Sequence, residues 1–383
     1  MPKKLRPLPV TIALFCGAAA LQAKEISVSS NAEFARAAKA ATPGDEIVLD
    51  GGPFSGVHFA QLRGMPDRPI VIRGRSAGSP AQFRGGNGGL HLAGAQHVTL
   101  RHIDVRGARI NGINIDDAGD KAEPARGIRI EHCSVIDTGG RGNHDALKLS
   151  GVDQFVVRHC RFEGWGGSGI DMVGCHDGLV EDCQFTGKAG FAQSNAIQAK
   201  GGSARIAILR NRFVDAGQRA INIGGSTGLA YFRPAVGEHE AEDIEVAGNY
   251  FLGGMAPIAW VTSDGGHVHH NTISKPEKWV VRILQENTAE GFKPASGGVF
   301  ENNVIVFDRS VRTFANVGGG TAPESFVFRN NAWFEEGASP PGRRPVLPSD
   351  EVSGVYGIDP ELDGEGAVRS RDPRLKDKGA EAY

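Results

Sequence analysis

Four cations stand in short phrases that resemble one another: Lys148 in HDALKLSG, Lys200 in SNAIQAKGG, Arg219 in QRAINIGGS and Arg282 in WVVRILQEN. The same phrases carry His144, Asp145, Asn195, Gln198 and Asn222, and the related phrases SGIDMVG and PIAWVTSD carry Asp171 and Trp260. An amine able to lose its proton, with other cations nearby, suits abstraction of an acidic C–H proton while those charges hold the anion that forms. Lys200 is the expected base and Arg219 and Arg282 the stabilising cations, because neighbouring positive charge lowers a lysine's pKa toward a working value. Lys148, Asp171, Asn195, Gln198, Asn222, Trp260 and His144 are the expected ligand contacts. A tryptophan facing water calls for something to stack on, and sugar rings do so. A uronate polymer meets this description: its C5 proton is acidic and its carboxylate becomes an enolate-like dianion. Asp145 and Asp171 leave open a two-carboxylate hydrolase, and a C5-epimerase shares the proton abstraction. His144 is a further acid or base in either case.

Such residues need a scaffold that repeats. The strand phrases NGINIDD, HDALKLSG, SGIDMVG, NAIQAKGG, RAINIGGS, PIAWVTSD and WVVRILQEN alternate apolar and polar positions. Aligned, they give an outward column Asn114, Lys148, Asp171, Gln198, Asn222, Trp260 and Arg282, flanked by Gly112, Ala146, Gly169, Ala196, Ala220, Ile258 and Val280. Small residues beside long polar ones describe a groove that admits a flat ring. A second phrase repeats in step, its third position being Cys133, Cys160, Cys183, Asn211, Asn249, Asn271, Asn303 and Asn331, at spacings of 27, 23, 28, 38, 22, 32 and 28. Irregular repeats of this size built from short β-runs and glycine turns predict a solenoid, and the absence of helical periodicity between them predicts an all-β, single-stranded parallel β-helix. Asn211 to Asn331 then form an interior ladder. Cys133, Cys160 and Cys183 continue it as free thiols, since parallel Cβ vectors one coil apart are poor disulfide geometry.

Residues 31–41, NAEFARAAKAA, read as a short helix with Asn31 as N-cap, placed to cover the open end of the stack. The repeat fades after residue 336, so residues 24–336 are expected to form the β-helix with its cap and residues 337–383 a C-terminal covering segment. Residues 1–23, with Lys3, Lys4 and Arg6 before an apolar stretch and small residues, have the pattern of a signal for export, periplasmic or secreted. Removing them leaves 39 basic against 44 acidic residues, a net charge of −5, which excludes a nucleic-acid partner held by a broad basic field. No apolar run is long enough for a bilayer span, and a monomer is expected. His267, His269 and His270 in HVHH suggest zinc, but only His267 and His269 share a strand face and no further ligand has matching spacing.

The opening NAEFARAAKAATPGDEIVLDGGPFSG, the following RPIVIRG and the coil phrases resemble the right-handed parallel β-helix proteins of the pectate-lyase superfamily. Within it the chain is most similar to the alginate lyase and chondroitinase B family. That resemblance implies an exported polysaccharide lyase that cleaves an acidic glycan by β-elimination, and it places Lys200 of AIQAKGG on the family's basic lysine. The family's arginine phrase is replaced here by Ile221-Asn222-Ile223-Gly224, so its role would pass to Arg219 or Arg282. The family's calcium-binding acids fall at Gln193 and Asn195, which leaves Asp171 and Asp145 as the calcium ligands if that cofactor is used. A non-catalytic glycan-binding protein on the same fold is the alternative from another class.

Overall fold

The computed structural model describes residues 23–383, so the expected signal up to residue 22 lies outside the described residues. Three long parallel sheets wind into a right-handed β-helix. The first sheet runs from Glu25–Val28 to Glu351–Val352, the second from Ala81–Arg84 to Val355–Tyr356, and the third from Val57–Ala60 to Ala315–Val317. Every strand pairs in parallel with its equivalents one coil away, as Leu147–Ser150 does with Ile113–Asp116 on one side and Ser168–Val173 on the other.

Alternation decides which side chains point inward. In the third sheet Ile113, Leu147, Ile170, Ile197, Ile221, Ile258 and Val281 form one buried column. In the second sheet Phe162, Phe185, Phe213 and Phe251 stack ring on ring at 5.0, 4.9 and 4.8 Å. That spacing is the strand separation of a β-sheet, so each coil advances the stack by one strand.

The expected asparagine ladder is present at the corner between the first and second sheets. Asn211, Asn249, Asn271, Asn303 and Asn331 are all buried. Each Oδ1 from Asn249 to Asn331 accepts two bonds from the preceding asparagine, as when Asn271 takes the backbone N–H of Asn249 at 2.9 Å and its amide at 3.0 Å. The last rung, Asn331, donates its backbone N–H and its amide to the Glu351 carboxylate, both at 3.0 Å. The residue before each rung turns the corner with positive φ, at His132, His159, Asp182, Arg210, Gly248, His270, Asn302 and Asn330; Gly, His, Asp and Asn tolerate that region better than most residues. Cys133, Cys160 and Cys183 extend the ladder, and they and Cys175 are buried free thiols. Burial pushes the Cys175 thiol up to about 12.

At the N-terminal end the helix Asn31–Ala40 is capped by Ser30, whose hydroxyl accepts the N–H of Glu33, and not by Asn31. Asn31 instead reaches across to Ser55 at 2.8 Å, while Phe34 seats the helix on the first coil against Phe59, ring centroids 4.7 Å apart. At the other end the β-helix continues past residue 336, because Glu351–Val352 and Val355–Tyr356 add strands to the first and second sheets. The remaining tail covers the second sheet, with Leu375 packed on Val304, Val306 and Ala332. The third sheet is therefore left open.

Candidate active site

The outward column of the third sheet has the register Asn114, Lys148, Asp171, Gln198, Asn222, Ala259, Arg282 and Asn316, with His58 and His91 before it. Trp260 is not in it. Ile258 pairs with Ile221 and Trp260 with Ile223, so Trp260 points inward, is 0% exposed and packs edge-on against Phe326 at 5.4 Å. A one-residue slip in strand phase exchanges the faces. The flanking column also turns inward: Ala146 and Ala196 are fully buried, and a Cβ at Gly112 would lie 2.3 Å from Val135. These residues are small because the corner is tight, and they do not floor a groove; Pro257, not Ile258, holds that place in its coil.

Three adjacent coils bring Asp145, Lys148, Asp171, Gln198 and Lys200 together. Lys148 bonds to Asp171 and lies 3.3 Å from Asp145. Lys200 lies 3.2 Å from Asp171 and donates to Gln198 at 3.1 Å. Asn195 joins from below, its amide 3.3 Å from the same Gln198 oxygen. The two carboxylates are 0% exposed, whereas the lysine side chains keep 20% and 16% of their surface. Burial would raise the Asp171 carboxyl, but the Lys200 and Lys148 ammoniums outweigh it and hold its pKa down. Burial and the charge of Asp171 push Asp145 up to about 6. For Lys148 burial opposes the charge, but Asp171 and Asp145 prevail and its pKa is raised.

A cleft of about 530 Å³ opens over Lys148 and Lys200. Its far wall is the segment 225–240, which carries Thr227, Tyr231 and Arg233. Buried Glu240 ties that segment down by accepting from the N–H groups of Thr227 at 2.6 Å and Gly201 at 2.8 Å and from the Asn287 amide at 2.7 Å. Arg233 binds buried Asp117 at 2.6 Å.

The structure separates the expected arginines from Lys200. Arg219 pairs with Glu286 and with Asn222, 3.2 Å away. Arg282 donates to Asn316 at 3.0 Å and lies 4.5 Å from the Trp279 ring centroid. Gln198 and Asn222, both donating to the Gly224 carbonyl, lie between the two groups. The neighbours of Lys200 are thus a carboxylate and an amide, not a ring of cations. His144 sits on the turn under Gly139 and does not line the cleft, and its Nδ1 is buried without a partner. The aromatic group that does accompany the column is Trp279. Its position three residues before Arg282 is the signal for it, once Val281 and Ile283 fix the strand phase. Tyr231 lies in an irregular segment with no repeat to mark it.

The donors expected for calcium do not fit that ion. Asp145 and Asp171 both face the Lys148 ammonium, and among the described residues no group of three or more His, Cys, Asp or Glu is placed to share a metal. That holds for the HVHH segment too, where His267 pairs with Glu301 at 2.7 Å and His269 with Glu245 at 3.1 Å.

The sequence matches the model of the right handed beta helix region over residues 88–305, and the chain belongs to that family. No curated protein matches it by sequence. Among solved structures it is similar to pectate lyase Pel9A, at 12% identity and a TM-score of 0.54 over 93% of this chain and 96% of the other. A PL6 family polysaccharide lyase from Pseudopedobacter saltans shares 14% identity with a TM-score of 0.51, covering 94% and 99%. A GH136 lacto-N-biosidase from Eubacterium ramulus shares 12% with a TM-score of 0.58, covering 87% and 68%. These likenesses carry the fold, and the same fold supports elimination in some members and hydrolysis in another.

Proposed function

We propose that this protein is an exported polysaccharide lyase that cleaves an acidic, uronate-containing glycan by β-elimination at the Lys148–Lys200 cleft. The observation that carries the reading is the exposure pattern of the cluster: ammonium groups face the cleft and the carboxylates lie buried behind them. A uronate carboxylate settles against Lys148, which its two acidic neighbours keep protonated. Lys200, once its ammonium has yielded a proton to solvent, takes the C5 proton. The C5 electron pair forms the C4–C5 double bond, the bond from C4 to the glycosidic oxygen breaks, and the Lys200 ammonium returns the proton to the departing oxygen. Asp171 holds both lysines in place, a positioning role rather than a chemical one. No step uses an ion between Asp145 and Asp171, since Lys148 takes that place. Export rests on the basic and apolar pattern of residues 1–23; among the described residues no helix is long and apolar enough to cross a membrane.

A hydrolase draws on Asp145, whose pKa of about 6 suits a general acid. Its carboxylate is fully buried, however, and cannot meet a glycosidic oxygen without displacing Lys148. Incubation with pectate, alginate and chondroitin separates the readings. A lyase produces the ultraviolet absorbance of unsaturated uronates, a hydrolase only new reducing ends, an epimerase neither but an inverted C5 visible in the proton NMR spectrum of the polymer, and a binding protein no product at all. Lys200→Ala should abolish the absorbance with folding intact, and Lys200→Arg should fail as well because arginine stays protonated. Full turnover in Lys200→Ala removes the assignment.

A further inference from the structure

Three coil steps beyond Gln198 in the same column lies a second cationic cluster, outside the cleft. Arg282 and Lys278 each place their charge over the Trp279 ring, at 4.5 and 4.2 Å from its centroid. Arg219 reaches toward them from an earlier coil across Ala259, a small residue in a column of long ones. Burial lowers the pKa of Arg282 and the positive charge of Arg219 lowers it further. Among the described residues Glu286 is the one carboxylate that pairs with this group, and it pairs with Arg219. Arg282 and Lys278 make no ion pair among the described residues, although most arginines of the coil surface do. Lys278 is exposed, but Arg219 and Arg282 are partly buried with one carboxylate between them, which leaves about one uncompensated positive charge where charge is costly unless an anion answers it.

We propose that Arg219, Lys278 and Arg282 around Trp279 form a second anion subsite, which binds a carboxylate or sulfate on a unit of the glycan remote from the one that reacts. At about 4.8 Å per coil the three steps from Gln198 to Arg282 span about 14 Å, so the two anions belong to different sugar units. The substrate is then a chain charged on more than one unit, and its length matters. Trp279 holds Lys278 and Arg282 over its ring by cation–π attraction, so the indole sets where the two charges stand. The inference rests on the glycan reading above but not on elimination, and its test does not need turnover.

Binding of defined oligogalacturonates and alginate oligomers of two to eight units, with a neutral dextran oligomer as control, is measured by calorimetry on the full chain carrying Lys200→Ala. The expected result is affinity that rises by at least 10-fold once the oligomer is long enough to reach both sites. Arg282→Gln should remove that rise, with shorter oligomers bound as before. Trp279→Phe should retain most of it and Trp279→Ala lose it. Added salt should weaken the long oligomers more than the short ones. Equal binding of long oligomers by Lys200→Ala and by Lys200→Ala/Arg282→Gln overturns the proposal, as does equal binding of dextran. If the length dependence appears but the otherwise unaltered protein makes no unsaturated product, the subsite stands and the lyase reading falls. If product forms and Arg282→Gln changes nothing, the reverse holds.

Discussion

Asp171→Asn tests the centre of the site most directly, because it keeps the shape of the side chain and deletes the one charge that both lysines share. At 3.2 Å from Lys200, a carboxylate and an ammonium attract by about 5 kcal/mol at an effective dielectric near 20. Much of that is spent on desolvating groups that are wholly or largely buried. What the substitution leaves behind decides the outcome: two ammoniums face each other across a neutral amide, with Asp145 reachable only by Lys148. Removing one partner of a buried ion pair costs about 3–5 kcal/mol, and that is the expected loss in denaturant unfolding. Lys148→Met in the Asp171→Asn background should recover part of it, with a coupling energy above about 1 kcal/mol. Asp171→Asn within about 1 kcal/mol of the parent, or two substitutions whose effects simply add, would refute the reading of the cluster as a mutually dependent unit.

Asp145 gives a pH test. With its carboxyl raised from 3.8 to about 6, it is neutral below that pH, the cluster carries one net positive charge, and an acidic glycan binds more tightly. KM for pectate or alginate should rise as pH passes 6, and Asp145→Asn should hold it near its low-pH value. The same group makes stability fall by about 3 kcal/mol as pH rises from about 4 to 6, since the native state then binds the proton that the unfolded chain has lost. Asp171, with its pKa depressed, works in the opposite sense and loses its contribution as pH falls through its folded value. Asn271→Ala deletes amide bonds to Val246, His269 and Asn303 and the acceptor for Asn249, and should cost at least about 3 kcal/mol in the same unfolding assay. Mass spectrometry of the unreduced protein should find Cys133, Cys160, Cys175 and Cys183 unlinked, and a thiol reagent should reach them only on unfolding.

The fold was legible in the sequence because a solenoid writes the same structural demand many times. Eight occurrences of the Cys/Asn position fix one corner, and Lys148, Asp171, Gln198 and Arg282 fix one face, without any single phrase being decisive. Where the repeat weakens, so does the reading. PIAWVTSD offers Ile258 and Trp260 at alternate positions, and taking the tryptophan as outward reverses the whole strand; the aliphatic column opposite, from Ile221 and Ile223, carries the correct phase. Ser30 displaced Asn31 as the helix cap because either residue type can do the work and only the backbone decides. The pairing of Lys148 with two buried acids was out of reach for another reason. Asp145 and Asp171 come from different coils, and spacing along a strand does not say whether a carboxylate meets an ion or a lysine.

The corner ladder has a direction. The side-chain oxygen of each asparagine from Asn211 to Asn303 accepts nothing from the coil that follows it; the residue hands its own N–H groups forward and waits for the next Oδ1 to arrive. A chain emerging from the ribosome N-terminus first therefore always ends in a rung with open donors, whichever coil has just been completed. Only Glu351, well after the last repeat, supplies an acceptor that asks for no successor. Growth of the stack thus carries its own stop signal. A chain cut between residues 336 and 351 would keep every coil of the groove and still present an unfinished end, an edge ready to accept a strand from another molecule.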